Sequence, residues 1–468
     1  MTNKALPKIF IATLFDIFDK KNVLTDEANC WAYSYDNSRK QAKPDVVVFA
    51  TEHEQVKKLL QLCNEYDVPV VARGRGSGTT GATVPLRAGV VLSLERMNKI
   101  IKIDPDNRII IVQPGVTNQE VQKAAAEHGF FWPPDPTSSA FCTIGGNLAY
   151  NSAGPRAVKY GTPRENILGL TAITGEAKEL VVGTCTTKGV VGFDLTRLIV
   201  GSEGTLAIIT EATLKLTPLA EAKCVLQSMY QDINSAANAV SAIMAQPFTP
   251  CALEFIDGNA INMVRNFSSA TLPENAGAML MIEIDGPASS LSEAVTHIKT
   301  AASNSGMLEI KEAKTKTEID ALWATRKALS PALRNVAPKK INEDVVVPVS
   351  HIPDLIQSLE QLSKQYDIKI VNFGHAGNGN IHVNLLVNPD DEKEMQRAEK
   401  CLDDVFSKVI ELNGTLSGEH GVGIEKRDFV DREITPNTLS YMRQIKQLFD
   451  PKNILNPDKM FPLEGCMF

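Results

Sequence analysis

Three of the seven histidines lie in two short stretches that are rich in glycine, residues 374–384 and 418–423. The first stretch has the pattern of a β-hairpin, in which His375, just before the turn, can come close to His382 on the second strand. Two imidazoles need a third ligand to hold a divalent ion, and Glu419 is the candidate because the neighbouring glycines let that backbone approach closely. These residues predict a metal site of two histidines and one carboxylate, with open positions for a substrate.

The period of two along the second strand places Asn380, His382 and Asn384 on one face, so this face is polar. A strand histidine is commonly a hydrogen-bonded, half-buried residue, and a glycine turn is commonly only a turn. The occurrence of both stretches in one chain favours a functional site over a structural role. The same ligands would also suit a metal-dependent hydrolase that activates water, and the residues alone leave that alternative open.

A second glycine cluster lies in residues 71–85, VARGRGSGTTGATVP, where positions 76–81 match the pattern G-x-G-x-x-G. A nicotinamide-binding Rossmann fold requires a strand before this pattern and a helix that begins within it. Residues 67–72 read as the strand, but a proline and another glycine follow the cluster, and residues 90–94 again have strand character. The sequence therefore predicts a turn between strands, which is either an anion-binding nest of N–H groups or a plain surface loop.

Composition limits the class of protein. The chain has 468 residues, 43% of them hydrophobic, which is enough for two or three domains. Its net charge is −7 and it has no basic block, so nucleic acid is not an expected partner. The eight cysteines form no C-x-x-C pair, as expected of reduced thiols in the cytosol. The N-terminus reads as an amphipathic helix rather than a signal peptide, and no stretch is long enough for a transmembrane segment.

The elements that must position these residues fall into two groups. From about residue 42 strands and helices alternate, with capping boxes predicted at Thr51 with Glu54 and at Thr117 with Glu120. Towards the end of this first group, loops and strands are predicted for residues 141–147 and 198–206. A boundary is predicted at 214–218. From residue 223 the predicted order is strand, helix, strand, strand, helix and strand, which indicates a separate α+β domain with helices on one face of a sheet.

Seven short motifs occur in one order along nearly the whole chain, at residues 74–81, 132–139, 143–147, 201–205, 374–382, 418–421 and 455–457. Together they resemble the FAD-linked D-2-hydroxyacid dehydrogenases of the vanillyl-alcohol-oxidase-like flavoprotein superfamily. That group includes D-lactate dehydrogenases, D-2-hydroxyglutarate dehydrogenases and the flavin subunit of glycolate oxidase.

The resemblance implies an α+β protein with a PCMH-type FAD-binding domain and an α+β substrate (cap) domain. The implied boundaries are an N-terminal helical arm at 1–41, the FAD-binding domain at 42–218, the substrate domain with the metal site at 219–430, and a C-terminal helix and tail at 431–468 that returns to the flavin.

The resemblance also implies which residues bind FAD, non-covalently because the glycine loop contains no histidine. The residues implied to face the pyrophosphate are Arg73, Gly74, Gly76, Ser77, Gly78 and Thr79. Those implied to line the adenosine and flavin path are Pro134, Gly145, Gly146, Gly204, Ile208 and Ile209, and Asn456 is implied to approach the isoalloxazine.

The implied reaction is oxidation of a D-2-hydroxy acid, D-lactate first, to the 2-oxo acid. His420 matches the family's base, which would take the hydroxyl proton while the Cα hydrogen leaves as hydride to the flavin. Arg326 matches the arginine that binds the substrate carboxylate, with a solvated helix arginine as the alternative. His375, His382 and Glu419 match the ligands of a divalent metal, expected to be Zn or Mn. Lys340 does not align cleanly with the lysine that some relatives use for a second carboxylate.

The expected partners follow from this chemistry. They are a small 2-hydroxy acid and an electron acceptor, either a quinone, a cytochrome or an electron-transfer flavoprotein. A homodimer and a cytoplasmic location, or a peripheral one at the inner membrane, are further expectations. The alternatives are a glycolate oxidase flavin subunit, a D-2-hydroxyglutarate dehydrogenase, a metal-dependent hydrolase and a non-catalytic electron-transfer subunit.

Overall fold

The computed structural model describes residues 6–264, 274–313, 315–333 and 336–463, so Cys466 of the tail lies outside the described residues. The chain forms two compact units. The first comprises Met1–Ala153, Gly161–Leu219 and Glu419–Phe468, and the second comprises Gly154–Tyr160 and Ala220–Gly418. Residues 419–430 group with the first unit, whereas the sequence predicted them at the end of the substrate domain.

Three sheets are present among the described residues of the first unit. Its strands are β1 (Val23–Leu24), β2 (Val46–Phe49), β3 (Val70–Arg73), β4 (Val90–Ser93), β5 (Ile100–Asp104), β6 (Ile109–Val112), β7 (Phe130–Phe131), β8 (Ile167–Thr174), β9 (Glu179–Gly183), β10 (Ala207–Lys215) and β11 (Thr217–Pro218). The strand orders are β1-β2-β4-β3, β5-β6-β10-β8-β9 and β11-β7. The helices are Lys8–Ile17, Glu27–Trp31, His53–Tyr66, Asn118–Ala126, Ile144–Tyr150, Leu195–Ile199, Val430–Glu433 and Pro436–Phe449, with 3₁₀ turns at Lys20–Asn22 and Arg427–Phe429.

Strands β2, β3 and β4 run parallel, with β4 between the other two. All residues of β2 and β4 are buried, as expected for parallel strands that are covered on both faces. The connection from β3 to β4, residues 74–89, is fully described and contains no helix. The glycine cluster is therefore a turn between strands and not the start of a Rossmann helix, as the sequence predicted.

Helix starts in this unit were predicted with mixed success. The capping box of Thr117 and Glu120 is present in full. The prediction of a capping box at Thr51 is wrong, because the helix begins at His53. The N–H and the hydroxyl of Thr51 donate to the Gln55 side chain instead. The stretch from 141 to 147 was expected to be loop and strand, but residues from 144 form a helix whose N-cap Thr143 accepts from the Gly146 N–H.

The described part of the second unit forms a seven-stranded antiparallel sheet. Its strands are β12 (Ala222–Tyr230), β13 (Ala252–Asp257), β14 (Ala278–Gly286), β15 (Met307–Ala313), β16 (Lys339–Val346), β17 (Lys369–His375) and β18 (Asn380–Val387), in the order β15-β12-β14-β13-β17-β18-β16. The helices are Ala157–Tyr160, Ile233–Ala245, Gly258–Val264, Leu291–Ala302, Lys316–Leu333, Ile352–Tyr366 and Glu392–Glu411, with 3₁₀ turns at Val349–His351 and Ala376–Asn378. The strands and helices predicted from residue 223 to 313 are present in the predicted order, and the structure adds a helix, Gly258–Val264, that was not predicted.

Helices pack on both faces of this sheet, and the expectation of one covered face is wrong. On one face the Tyr230 hydroxyl donates to the carbonyl of Ala302, at the end of a helix, at 2.8 Å. On the opposite face Met229 belongs to a core cluster with Leu329 and Leu333, from the helix Lys316–Leu333. No helix among the described residues is long and apolar enough to cross a membrane.

Candidate functional site

The glycine loop of the first unit borders two adjoining cavities. The first has about 630 Å³ of empty space. The predicted FAD residues that line it are Arg73, Gly74, Gly145, Gly146, Gly204, Ile208 and Ile209. The second cavity shares Arg73 and Gly74 with the first and adds Gly76 and Ser77. The structure thus brings together residues from β3, the helix Ile144–Tyr150 and β10, which are far apart in sequence.

Four predicted FAD residues, Gly78, Thr79, Pro134 and Asn456, are not among the residues that line these two cavities in the described part of the chain. Gly78 packs beneath Tyr150, because a Cβ at this position would lie 2.6 Å from the tyrosine oxygen. The Pro134 carbonyl accepts from Asn118 Nδ2 at 2.8 Å. Asn456 is buried, and its Nδ2 donates to the Glu203 carbonyl at 2.7 Å. Since Glu203 lines the first cavity, Asn456 supports its wall, whereas the Pro134 contact lies outside the lining of both cavities.

The residues around the first cavity fit FAD. Tyr150 lines this cavity, and Thr80 interacts with its buried hydroxyl without a well-formed hydrogen bond, so the hydroxyl is suited to serve a ligand as well. Backbone N–H groups of the glycine loop and the Arg73 guanidinium suit a pyrophosphate. Ile208 and other apolar side chains suit a ring system. Burial lowers the pKa of Arg73, although nearby acidic groups oppose that shift.

Gly76 is a loop position where a side chain would strain the backbone. Its φ is +66°, and a Cβ there would collide with the Arg73 guanidinium. The left-handed conformation costs an L-residue about 1–2 kcal/mol, so we expect Gly76→Ala to weaken FAD binding about 10-fold. The measurement is the ratio of FAD to protein after desalting and the FAD dissociation constant from flavin fluorescence. Gly189→Ala, where the nearest side-chain atom would be 3.7 Å away, is the control. Parental FAD affinity in Gly76→Ala would contradict this view of the loop.

His420 lies in a turn of the first unit that is held against the glycine loop. The Thr80 hydroxyl donates to the His420 carbonyl at 3.3 Å, and the Ile424 N–H donates to the Thr80 carbonyl at 2.8 Å. The buried Glu203 carboxylate accepts from the N–H groups of Val422 and Gly423 at 2.6 and 2.8 Å. The predicted base therefore belongs to the unit that carries the FAD residues, and its turn is fixed by Glu203.

Burial raises the pKa of Glu203 from 4.5 to about 7, although the two backbone donors, Lys459 and Lys426 oppose the shift. Because the folded-state pKa is raised, the contribution to stability is complete below pH 4.5 and is lost as the pH rises through 7. We expect the free energy of unfolding of this unit to fall by up to about 3 kcal/mol over that range. Burial lowers the pKa of Lys459 to about 8, so this lysine titrates mostly above that pH range.

Urea unfolding at pH 5, 6 and 7 measures this dependence. Glu203→Gln should flatten the pH profile, because the amide does not titrate and still accepts one of the two backbone bonds. Identical pH profiles for the parent protein and Glu203→Gln would show that this carboxyl is not the titrating group.

In the second unit, β17 and β18 bring the two predicted histidine ligands together. His382 pairs in register with Phe373, two residues before His375, so both imidazoles are on one face of the sheet. Their ring centroids are 5.2 Å apart, and each residue is less than a tenth exposed. Nδ1 of His375 lies 2.6 Å from Oε1 of Glu254 on β13. This contact leaves Nε2 of His375 as the nitrogen that can bind a metal, so the donor set fits a divalent ion.

Arg326 lies on the same face of this sheet. Its Nε donates to Oε2 of Glu254 at 2.7 Å, and its guanidinium lies 4.9 Å from the ring centroid of Phe373. It is only 8% exposed, so it is not a solvated helix arginine. Burial raises the pKa of Glu254, but His375 and Arg326 outweigh burial and bring it below its ordinary value. Since Nε uses one of five guanidinium donors, Arg326 can still bind a carboxylate.

The third predicted ligand, Glu419, follows Gly418 in the chain. The Gly418 N–H donates to the carbonyl and to the carboxylate of Asp344, at 2.8 and 3.0 Å, and Asp344 pairs in register with His382. Glu419 itself begins the last segment of the first unit, where its Oε1 lies 4.0 Å from Nε2 of His420. Its role as a ligand stays a prediction.

Three residues of these sites were not identified from the sequence: Tyr150, Glu203 and Glu254. A signal for Glu254 exists, because it is the one ionisable residue inside the apolar run ALEFI, where an unpaired charge would be costly. Glu203 lies in the motif at residues 201–205, but the backbone N–H groups that it accepts from are more than two hundred residues away in the chain. Tyr150 carries no sequence signal.

Comparisons with known proteins agree with these features. The family model "FAD linked oxidases, C-terminal domain" matches residues 219–460, and the model "FAD binding domain" matches residues 44–183. The glycolate oxidase subunit GlcD of Bacillus subtilis (strain 168) is 38% identical over 449 residues, which cover 96% of each chain. The D-lactate dehydrogenase of Archaeoglobus fulgidus is 36% identical over 92% of this chain and 95% of that protein.

A solved structure of p-cresol methylhydroxylase with substrate bound matches with a TM-score of 0.79 over 99% of both chains, at 17% identity, which supports the fold alone. The family assignment rests on the two family models and on the sequence identity to the relatives. The chain belongs to the FAD-linked oxidases and is an FAD-dependent oxidoreductase with a PCMH-type FAD-binding fold and an α+β second unit.

Proposed function

We propose that this flavoenzyme oxidises a short D-2-hydroxy acid, D-lactate in the first place, to the 2-oxo acid. The observation that carries the proposal is the buried group of Arg326, Glu254 and His375 on one face of the second unit's sheet. A buried guanidinium is suited to a substrate carboxylate, and it is connected through one carboxylate to a histidine of the predicted metal pair.

The residues of the chain would divide the work as follows. Arg326 binds the substrate carboxylate and so fixes the position of the hydroxyl-bearing carbon. His420 takes the hydroxyl proton on its imidazole. His375, His382 and Glu419 would hold a divalent ion, Zn or Mn, which would supply Lewis-acid chemistry at the substrate hydroxyl. FAD, held by the cavity of the first unit, supplies the two-electron acceptor.

Glycolate is the second candidate substrate. A relative named glycolate oxidase subunit has 38% identity, and relatives named D-lactate dehydrogenase have between 31% and 36%. The two acids differ by one methyl group, which is worth only about 1–3 kcal/mol in a pocket. D-2-hydroxyglutarate is less supported, because no residue of the chain is assigned to a second carboxylate.

We further propose that the electrons pass to a quinone, a cytochrome or an electron-transfer flavoprotein, and that the protein acts as a homodimer in the cytoplasm or at the inner membrane surface. A purified chain that reduces an artificial dye with substrate needs no partner subunit for the oxidation itself. A chain that requires a partner would instead act as one subunit of a glycolate-oxidising complex.

Anaerobic mixing of the purified yellow protein with hydroxy acids tests the substrate assignment. We expect D-lactate and glycolate to bleach the flavin absorbance rapidly, and L-lactate and D-2-hydroxyglutarate to bleach it slowly. Bleaching by L-lactate alone would overturn the stereochemical assignment. A yellow protein that no hydroxy acid bleaches would overturn the proposed reaction, and a bound flavin would still exclude an ordinary metal-dependent hydrolase.

A further inference from the structure

Glu254 is a buried carboxylate that holds two functional side chains at once. It is 1% exposed on β13, where it pairs in register with His375. Its Oε1 lies 2.6 Å from His375 Nδ1, and its Oε2 accepts from Arg326 Nε at 2.7 Å. One charge therefore serves a predicted metal ligand and the predicted carboxylate-binding residue, which come from different elements.

The pairing decides the tautomer of His375. An ionised carboxylate only accepts hydrogen bonds, so Nδ1 must carry the proton. The lone pair then resides on Nε2, which is the form of a neutral imidazole that can bind a metal through that nitrogen. The other carboxylate oxygen accepts from Arg326, so each oxygen of Glu254 serves one donor.

We infer that Glu254 is a positioning residue that fixes the metal-binding tautomer of His375 together with the orientation of Arg326, and so links the affinity for the divalent ion to the affinity for the substrate carboxylate. The inference rests on the proposed function and adds a residue that acts through two others. It also gives the second unit a defined route by which ion and substrate binding influence one another.

Replacing the carboxylate with the amide of the same shape exposes this role. His375 Nδ1–H and Arg326 Nε–H are both donors, whereas a glutamine offers one acceptor and one donor. The charge-assisted bond to Arg326 is the stronger one and should keep the amide oxygen. The amide NH₂ then faces Nδ1, which favours the tautomer with the proton on Nε2, and that tautomer has no lone pair on Nε2 for the ion.

The test compares the parent protein with Glu254→Gln in four measurements. In ¹⁵N-histidine NMR spectra we expect the His375 signals, assigned with His375→Asn, to change from the Nδ1–H to the Nε2–H pattern. Calorimetric titration with Mn²⁺ and Zn²⁺ should show affinity about 10–100-fold weaker. The KM for D-lactate should rise, while the FAD content, which depends on the first unit, stays at the parental value.

Glu283→Gln is the matched control, because Glu283 is a buried carboxylate of the same unit that accepts from Trp323 Nε1 at 2.7 Å and has Lys223 Nζ 4.0 Å from its other oxygen. The amide oxygen can keep that bond, and the nearby Cys251 thiol tolerates the NH₂ group because sulfur also accepts. We expect parental ion affinity and the Nδ1–H tautomer in Glu283→Gln.

Arg326→Gln separates positioning from general disruption. Without the arginine, Glu254 serves His375 alone, so this variant should bind the ion at least as tightly as the parent while its KM rises. The inference is overturned if Glu254→Gln keeps the parental tautomer and ion affinity, or if Arg326→Gln loses the ion to the same extent. A parent that binds no ion would refute the proposed metal site, and the tautomer comparison would still decide the role of Glu254.

Discussion

Replacing His420 with asparagine is expected to lower the rate of flavin bleaching by D-lactate about 10²–10⁴-fold, which is the usual contribution of a positioned general base. The substrate hydroxyl would then have no group to take its proton. The turn that carries His420 is held through its backbone, by the Thr80 hydroxyl and by Glu203 near Val422, so the substitution should leave the fold and the FAD content intact.

Stopped-flow absorbance under anaerobic conditions measures this rate. His128→Asn, at an exposed position of the same unit, controls for the loss of a histidine as such. Equal bleaching rates in His420→Asn and the parent would remove His420 from the proton transfer and would support a non-catalytic electron-transfer subunit or a different base.

Removing the divalent ion is expected to have an effect of similar size. A metal that polarises the hydroxyl contributes several kcal/mol to the transition state, so we expect His382→Asn or a chelator to lower kcat/KM about 10³-fold. The reason is geometric as well as chemical, since His382 shares its sheet face with His375 at a centroid distance of 5.2 Å. One ion per chain in the parent and none in the variant is the expected metal analysis.

Two controls make this prediction specific. His297→Asn, at an exposed histidine of the same unit, should keep both ion and activity. Activity of the chelated parent should return with Mn²⁺ or Zn²⁺, whereas that of His382→Asn should not. An ion-free parent with full activity would show that the histidine pair is structural.

The strands and the two longer helices of the second unit between residues 223 and 313 were predictable from the sequence, whereas the helix Gly258–Val264 was not predicted. Its strands bury apolar residues at a period of two or in continuous runs, and its helices bury residues such as Val240 at helical spacing. The hairpin with the two histidines followed from the same periodicity and from the glycine turn, where Gly379 has φ +75°. Periodicity and turn residues are local features, so they can be recognised without knowing what the elements pack against.

The helix Ile144–Tyr150 shows where local signals fail. Two consecutive glycines disfavour a helix by about 1 kcal/mol each relative to alanine, so the sequence favoured a loop. In the folded unit Ile144 and Leu148 are fully buried, and Gly145 packs so closely on Pro114 that a Cβ would lie 2.7 Å from its side chain. Burial of the apolar residues and this close approach outweigh the low propensity of glycine.

The sequence by itself determined that this chain has a glycine turn rather than a Rossmann helix and a hairpin that presents two histidines, because backbone period and turn residues act over a few positions. Only the tertiary structure revealed that Glu254 joins His375 to Arg326, and that Glu203 holds the turn of His420. Those pairings join residues 72 to 219 positions apart, and no local pattern specifies which buried carboxylate will meet which donor.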